Sequence, residues 1–170
     1  VMAAAIVTRL AFGKTDVIQM LNGCIGGLVA ITAEPLMPSP LAAILIGAVG
    51  GIIVVYGTKF LLSMKIDDVV GAIPAHLFAG IWGTLAVPIT NPDTNFGAQL
   101  LGVISINAFV FIVSLIVWAI MKNTIGIRLS KEGELKGTDV TETGVIVRNK
   151  RLKHHMIKGL LYFHMSTLRR

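Results

Sequence analysis

Charge is what this sequence lacks most. Asp, Glu, Lys and Arg make up 14% of its 170 residues, against about 25% in an average soluble domain. That shortage excludes an ordinary soluble fold, and hydrophobic residues at 54% exclude a disordered chain. Cysteine is down to one, Cys24, so a disulfide framework and a cysteine-built zinc site are both ruled out. Aromatics are few for so apolar a chain: seven Phe, two Trp and two Tyr. What remains is Leu, Ile, Val and Ala with 18 Gly, the mixture of packed transmembrane helices. No nucleophile–base pair, metal set or phosphate loop is legible, so the chain does not read as an enzyme and no cofactor is expected. It opens at Val1 inside an apolar run, with no initiator Met and no signal peptide. It therefore reads as a piece whose upstream part is missing.

The charge that is present is lopsided. Residues 1–121 hold four basic residues (Arg9, Lys14, Lys59, Lys65) and five acidic ones (Asp16, Glu34, Asp67, Asp68, Asp93). Residues 122–170 hold eleven basic and four acidic. The basic balance thus belongs to a tail. No aromatic-interleaved basic motif accompanies it, which argues against nucleic acid as a partner. A basic tail behind an apolar body reads as a cytoplasmic, juxtamembrane segment.

The apolar runs divide residues 1–122 into helices. Residues 1–12 are too short to span a bilayer, which takes about 20 residues, and read as the end of a helix. Four spans follow, over about 17–33, 41–62, 71–90 and 96–121. The breaks between them are polar or proline-rich: Gly13 to Asp16 (an N-cap candidate), Glu34 to Pro40, Ser63 to Asp68, and Asn91 to Asn95. Runs this long without alternation are helices, not strands. If the spans alternate, the Lys14 loop, the Lys65 loop and the tail share one face. The opposite loops carry Glu34 and Asp93 and no Lys or Arg. The positive-inside rule then makes the basic face cytoplasmic. The expected fold is an all-α polytopic helix bundle, 1–122, with a basic cytoplasmic tail, 123–170, in the membrane. Gly23 and Gly27, Gly47 and Gly51, and Ala79 and Gly83 sit four apart, a spacing that lets helix backbones approach closely.

His76 lies six residues into the third span. An ionisable side chain at depth costs about 2.5–3.5 kcal/mol on the lenient scales and faces a protein interior or a pathway. Imidazole suits proton exchange near neutral pH. Its neighbours at helical spacing are Ala72, Ile73, Ala79 and Gly80. None is charged, so a pathway there penalises a hydrated ion and admits a small neutral molecule more cheaply. A purely structural histidine, bonded to a neighbouring carbonyl, is the other reading. Asp67 and Asp68 are placed to cap the start of this span. Pro74 falls in its first turn, where proline is tolerated. Asn107 and Ser114 read as interhelical hydrogen-bond groups, Trp82 as packing, and Glu34 and Asp93 as solvated loop charges.

These motifs resemble the ammonium transporter family (Amt/Mep/Rh). The run Lys65-Ile66-Asp67-Asp68-Val69-Val70-Gly71-Ala72-Ile73-Pro74-Ala75-His76, then Gly80-Ile81-Trp82-Gly83-Thr84-Leu85-Ala86, matches its pattern D-D-x-x-G-A-x-x-x-H followed by G-I-W-G-T-L-A. Asn22-Gly23 and Gly27-Leu28-Val29-Ala30-Ile31-Thr32-Ala33 match upstream. Ile125-Gly126-Ile127-Arg128-Leu129-Ser130 and Glu134-Leu135-Lys136-Gly137-Thr138-Asp139 match the start of its tail.

The resemblance implies the last four helices, and the end of a fifth, of an eleven-helix inverted-repeat transporter of ammonium or ammonia. It implies a homotrimer with a twin-histidine pore in which His76 is the second histidine. Asp67, Asp68 and Gly71 begin that helix, and a PII signal protein binds at the tail. Leu77 stands where the family has Gly, Pro74 is unusual two residues before the histidine, and Glu142-Thr143-Gly144 departs from the family's tail. An ammonium sensor signalling through its tail, and a non-transporting half-length membrane protein, are the alternatives. Beyond Gly144 the resemblance ends. Residues 145–170 read as a basic amphipathic segment at an anionic membrane surface or as an unstructured extension. His154, His155 and His164 lack metal-ligand spacing.

Overall fold

The computed structural model describes residues 1–36 and 39–144, and most of these residues are helical. The sequence expectations for 145–170 lie outside the described residues. Among the described residues there is no strand. The helices are α1 (Met2–Phe12), α2 (Val17–Thr32), α3 (Pro40–Ser63), a π-helical turn (Ile73–Phe78) running directly into α4 (Ala79–Thr90), α5 (Phe96–Thr124) and α6 (Lys131–Lys136). A further π turn covers Asp139–Thr143. The chain divides into two units, Val1–Ser114 and Leu115–Arg170.

Local chemistry explains each boundary. Gly13 ends α1 in the left-handed region (φ 73), its N–H donating to the Arg9 carbonyl at 3.0 Å. Asp16 starts α2 by accepting from the N–H groups of Ile18 and Gln19, the N-cap its position led us to expect. Proline does not merely break the chain at residue 40. Pro40 opens α3 behind Ser39, because the first helical position has no use for the missing N–H. Asn95 starts α5, its side-chain oxygen accepting from Gly97 and Ala98.

Among the described residues three helices are long and apolar enough to cross a membrane: Pro40–Ser63, Ile73–Thr90 and Phe96–Thr124. α2, at 16 residues, covers about 24 Å at 1.5 Å per residue, short of a hydrocarbon core of about 30 Å. It stops at Thr32 ahead of Glu34 and Pro35.

α2 and α3 touch backbone to backbone through two facing rows of glycine. A Cβ on Gly27 would stand 3.1 Å from the Gly47 carbonyl oxygen, and one on Gly50 would stand 2.6 Å from that of Gly26. Gly23 and Gly51 face each other in the same seam. Glycine-lined approach is the means by which helices gain van der Waals contact where lipid supplies no hydrophobic drive. α4 then lies on α2 at Gly83, where an added Cβ would run into the Ala30 backbone. Ala30, Ile46 and Ala86 form the core with Ile31 and Trp82 against them. The Trp82 indole N–H donates to the Ile46 carbonyl at 3.1 Å, so Trp82 packs and also finds its polar partner.

The two ends of this bundle differ. At one end Lys59 Nζ lies 5.5 Å from the Phe12 ring centroid, Thr58 bonds Gln19 and Asn22 bonds the Val70 carbonyl. This end gathers the loops that carry Lys14 and Lys65. At the other end the Asn91 side-chain amide donates to Glu34 at 2.9 Å. Glu34 is only 8% exposed, which corrects the expectation of a solvated loop charge. The loop after α2 folds under the end of α4, and Asn91 supplies the donor that a buried carboxylate requires. Asn107 also differs from expectation. Its amide donates to the Val103 carbonyl on its own helix at 2.7 Å.

The described part of the tail contains a small capped helix. Ser130 Oγ accepts from Gly133 N–H at 3.1 Å and Lys136 pairs with Glu132 at 2.9 Å. The Arg128 guanidinium grips Glu134 through two bonds, 2.6 and 3.2 Å. Hydrogen bonding to Arg128 is the larger cause, and charge a lesser one, that holds the Glu134 carboxyl below its usual range. A depressed carboxylate stabilises above its unfolded-state pKa and loses that contribution as pH falls through the folded value. We expect the pair to persist unchanged from neutral pH down to the ordinary glutamate range, about pH 4.3, and to open only below it. Side-chain NMR titration of Glu134 should show a midpoint that moves up in Arg128→Gln. An unmoved midpoint would mean the pair does not form in solution.

Candidate functional site

His76 is reached through a helix start of unusual construction. Asp68 accepts from Ala72 N–H (2.9 Å) and from Ile73 N–H (2.8 Å), one bond to each carboxylate oxygen. Residue 74 is proline and has no N–H to place. The Ala75 N–H returns to the Gly71 carbonyl at 3.3 Å. The donors that open a helix are thereby all accounted for. Gly71 sits at φ 75, and a Cβ there would lie 2.5 Å from the Asn22 amide nitrogen, so both conformation and space demand glycine. Asp67 is exposed and forms no such bond.

The turn that follows is wide. The Ala79 N–H reaches back five residues to the Pro74 carbonyl, the π-helical pattern, which is frequent at functional sites. Ala72 and His76 are exposed, while Ile73 and Gly80 are half-buried. Ala79 has no exposure and stands against Gly26 of α2.

His76 opens onto a groove of about 280 Å³. One wall is His76, Leu77, Gly80, Ile81 and Thr84; the other is Gln99, Gly102, Val103, Ile106 and Asn107 from α5. No residue of α5 is buried. Its partly covered positions Gln99, Gly102, Val103 and Asn107 recur at three- and four-residue intervals, one helix face. The groove contains no formal charge. Its polar groups are one imidazole, one hydroxyl and two amides. Among the described residues no cluster of His, Cys, Asp and Glu could hold a metal. Gln99 and Thr84 were not singled out from sequence. A polar residue on an apolar helix is a visible signal, but which helix faces His76 is not.

Residues 1–146 match the model of the Ammonium Transporter Family. The chain belongs to this family. It is 38% identical over 164 residues to the ammonium transporter Amt2 of Archaeoglobus fulgidus, covering 84% of this chain and 35% of that protein. It is 35% identical over 150 residues to the ammonium transporter Amt1 of Haloferax mediterranei, covering 85% and 29%. The chain spans about a third of the length of the curated relatives it matches. The matched region contains the His76 block and the membrane-length helices.

Proposed function

We propose that this chain is the C-terminal part of a channel-like ammonium transporter and that His76 lines its pore. The observation that carries the reading is an exposed imidazole, part-way along a membrane-length apolar helix, on an uncharged groove. Ammonium, recruited at the outer face, gives up its proton. Ammonia then crosses past His76 beside Ala72, Ile73 and Gly80, because a neutral molecule avoids the desolvation an ion would suffer. The proton is relayed or returned through imidazole, whose ordinary pKa lies near neutrality. Asp67, Asp68 and Gly71 belong to the helix start that supports it.

The protein resides in the cell membrane with its C-terminus cytoplasmic. Support comes from Lys59 and the Lys14 and Lys65 loops at one end of the bundle and Glu34 at the other. The apolar α5, none of whose residues is buried, meets lipid and, in a homotrimer, neighbouring protein. The tail around Arg128 to Glu134 is the place for a PII-type regulator.

His76→Leu in the full-length transporter keeps the volume and removes both ring nitrogens. We expect ammonium uptake, or its discrimination against potassium, to change by at least about tenfold, equivalent to ~1.4 kcal/mol. Flux and selectivity both equal to the parent's would defeat the reading.

A further inference from the structure

Pro74 stands directly before the site and takes no part in its chemistry, yet three observations converge on it. Its side chain is among the most completely buried in the bundle. It fits a notch in α3 made by Gly57, where a Cβ would come 3.0 Å from Pro74 Cβ and 2.7 Å from the Phe78 ring. Phe78 is itself set against Phe60, ring centroids 6.5 Å apart. Both ends of the wide turn are thus seated on α3.

The second observation is that the wide turn closes on Pro74 itself: the Ala79 N–H reaches back five residues to its carbonyl. The third is that His76, between Pro74 and Phe78, is exposed on the groove, while Ala79 has no exposure and stands against Gly26 of α2.

We propose that Pro74 is a positioning residue for His76. Wedged at Gly57, it holds the π turn from Ile73 to Phe78 and so keeps the imidazole on the groove and away from α2. The functional consequence rests on the pore role proposed above for His76; the control of the turn does not.

The test is Pro74→Ala in the full-length transporter, with its structure determined by electron cryo-microscopy and its uptake measured beside His76→Leu. Alanine empties the notch at Gly57 and releases the turn from α3. The Ala79 N–H should then bond residue 75 in place of residue 74. Maximal uptake should fall by about tenfold, since misplacement of a reacting group by an ångström is costly. KM should stay within about twofold, because recruitment is untouched. Asn22→Ala, with Pro74 present, should retain the turn.

A π turn that survives Pro74→Ala, or that is lost in Asn22→Ala, overturns the proposal. So does a lost turn with parental uptake while His76→Leu impairs it. If His76→Leu is itself silent, the pore reading falls, and the structure of the variant alone decides whether Pro74 holds the turn.

Discussion

Gly83→Ala is expected to unseat α4 from α2. The methyl group it adds would overlap the Ala30 carbonyl oxygen and lie 2.8 and 2.9 Å from the Ala30 Cα and carbonyl carbon. All three atoms are backbone of an intact helix and cannot turn aside. The helices must separate, which strips contact from Ala86, Ala30 and Ile46, the centre of the core, and lengthens the 3.1 Å bond from Trp82 to Ile46. Overpacking of a tight interior costs about 1–3 kcal/mol, and the absence of any flexible neighbour puts this site at the upper end. Gly80→Ala is the control, since a Cβ there meets only Val29 Cγ1 at an ordinary 3.6 Å. Thermal unfolding in detergent should show Gly83→Ala well below the parent and Gly80→Ala close to it. Equal midpoints for the two variants would refute close α2–α4 contact.

Asp68→Ala is expected to have the second large effect. It strands the N–H groups of Ala72 and Ile73 and removes a carboxylate from the positive end of a helix. Loss of a cap costs about 0.5–2 kcal/mol, and two bonds place this one toward the top of that range. Asp68→Asn keeps one acceptor oxygen of the two and should lie between. Asp67→Ala should be nearly silent, because that side chain is exposed and bonds to nothing. If His76 lines the pore, uptake falls in the same order as stability, since Asp68 anchors the first turn of its helix. The measurement is thermal unfolding and uptake on all three variants. Equal effects of Asp67→Ala and Asp68→Ala would mean the helix start is not built as described.

Much of this was legible without coordinates. Long uncharged runs admit only helices in a bilayer, because a helix alone satisfies its own backbone there. The caps at Asp16 and the break at Gly13 follow from local chemistry that spans four or five residues. The small-residue spacing of Gly23, Gly27, Gly47 and Gly51 pointed to close approach, and those residues do meet. The block around His76 was distinctive enough to carry the family by itself.

Other features depend on which surfaces come together, and no local pattern encodes that. Glu34 looked solvated until the end of α4 covered it with Asn91. Asn107 turned to the Val103 carbonyl of its own helix. Of two residues three apart, His76 faces the groove and Ala79 is covered by α2, a division that spacing alone does not fix. Composition and periodicity thus determined that this chain is a membrane helix bundle, and its motif determined the family. The direction of the imidazole was decided by tertiary contact alone: a helix sets the spacing of its side chains, and its neighbours set its rotation and its defects.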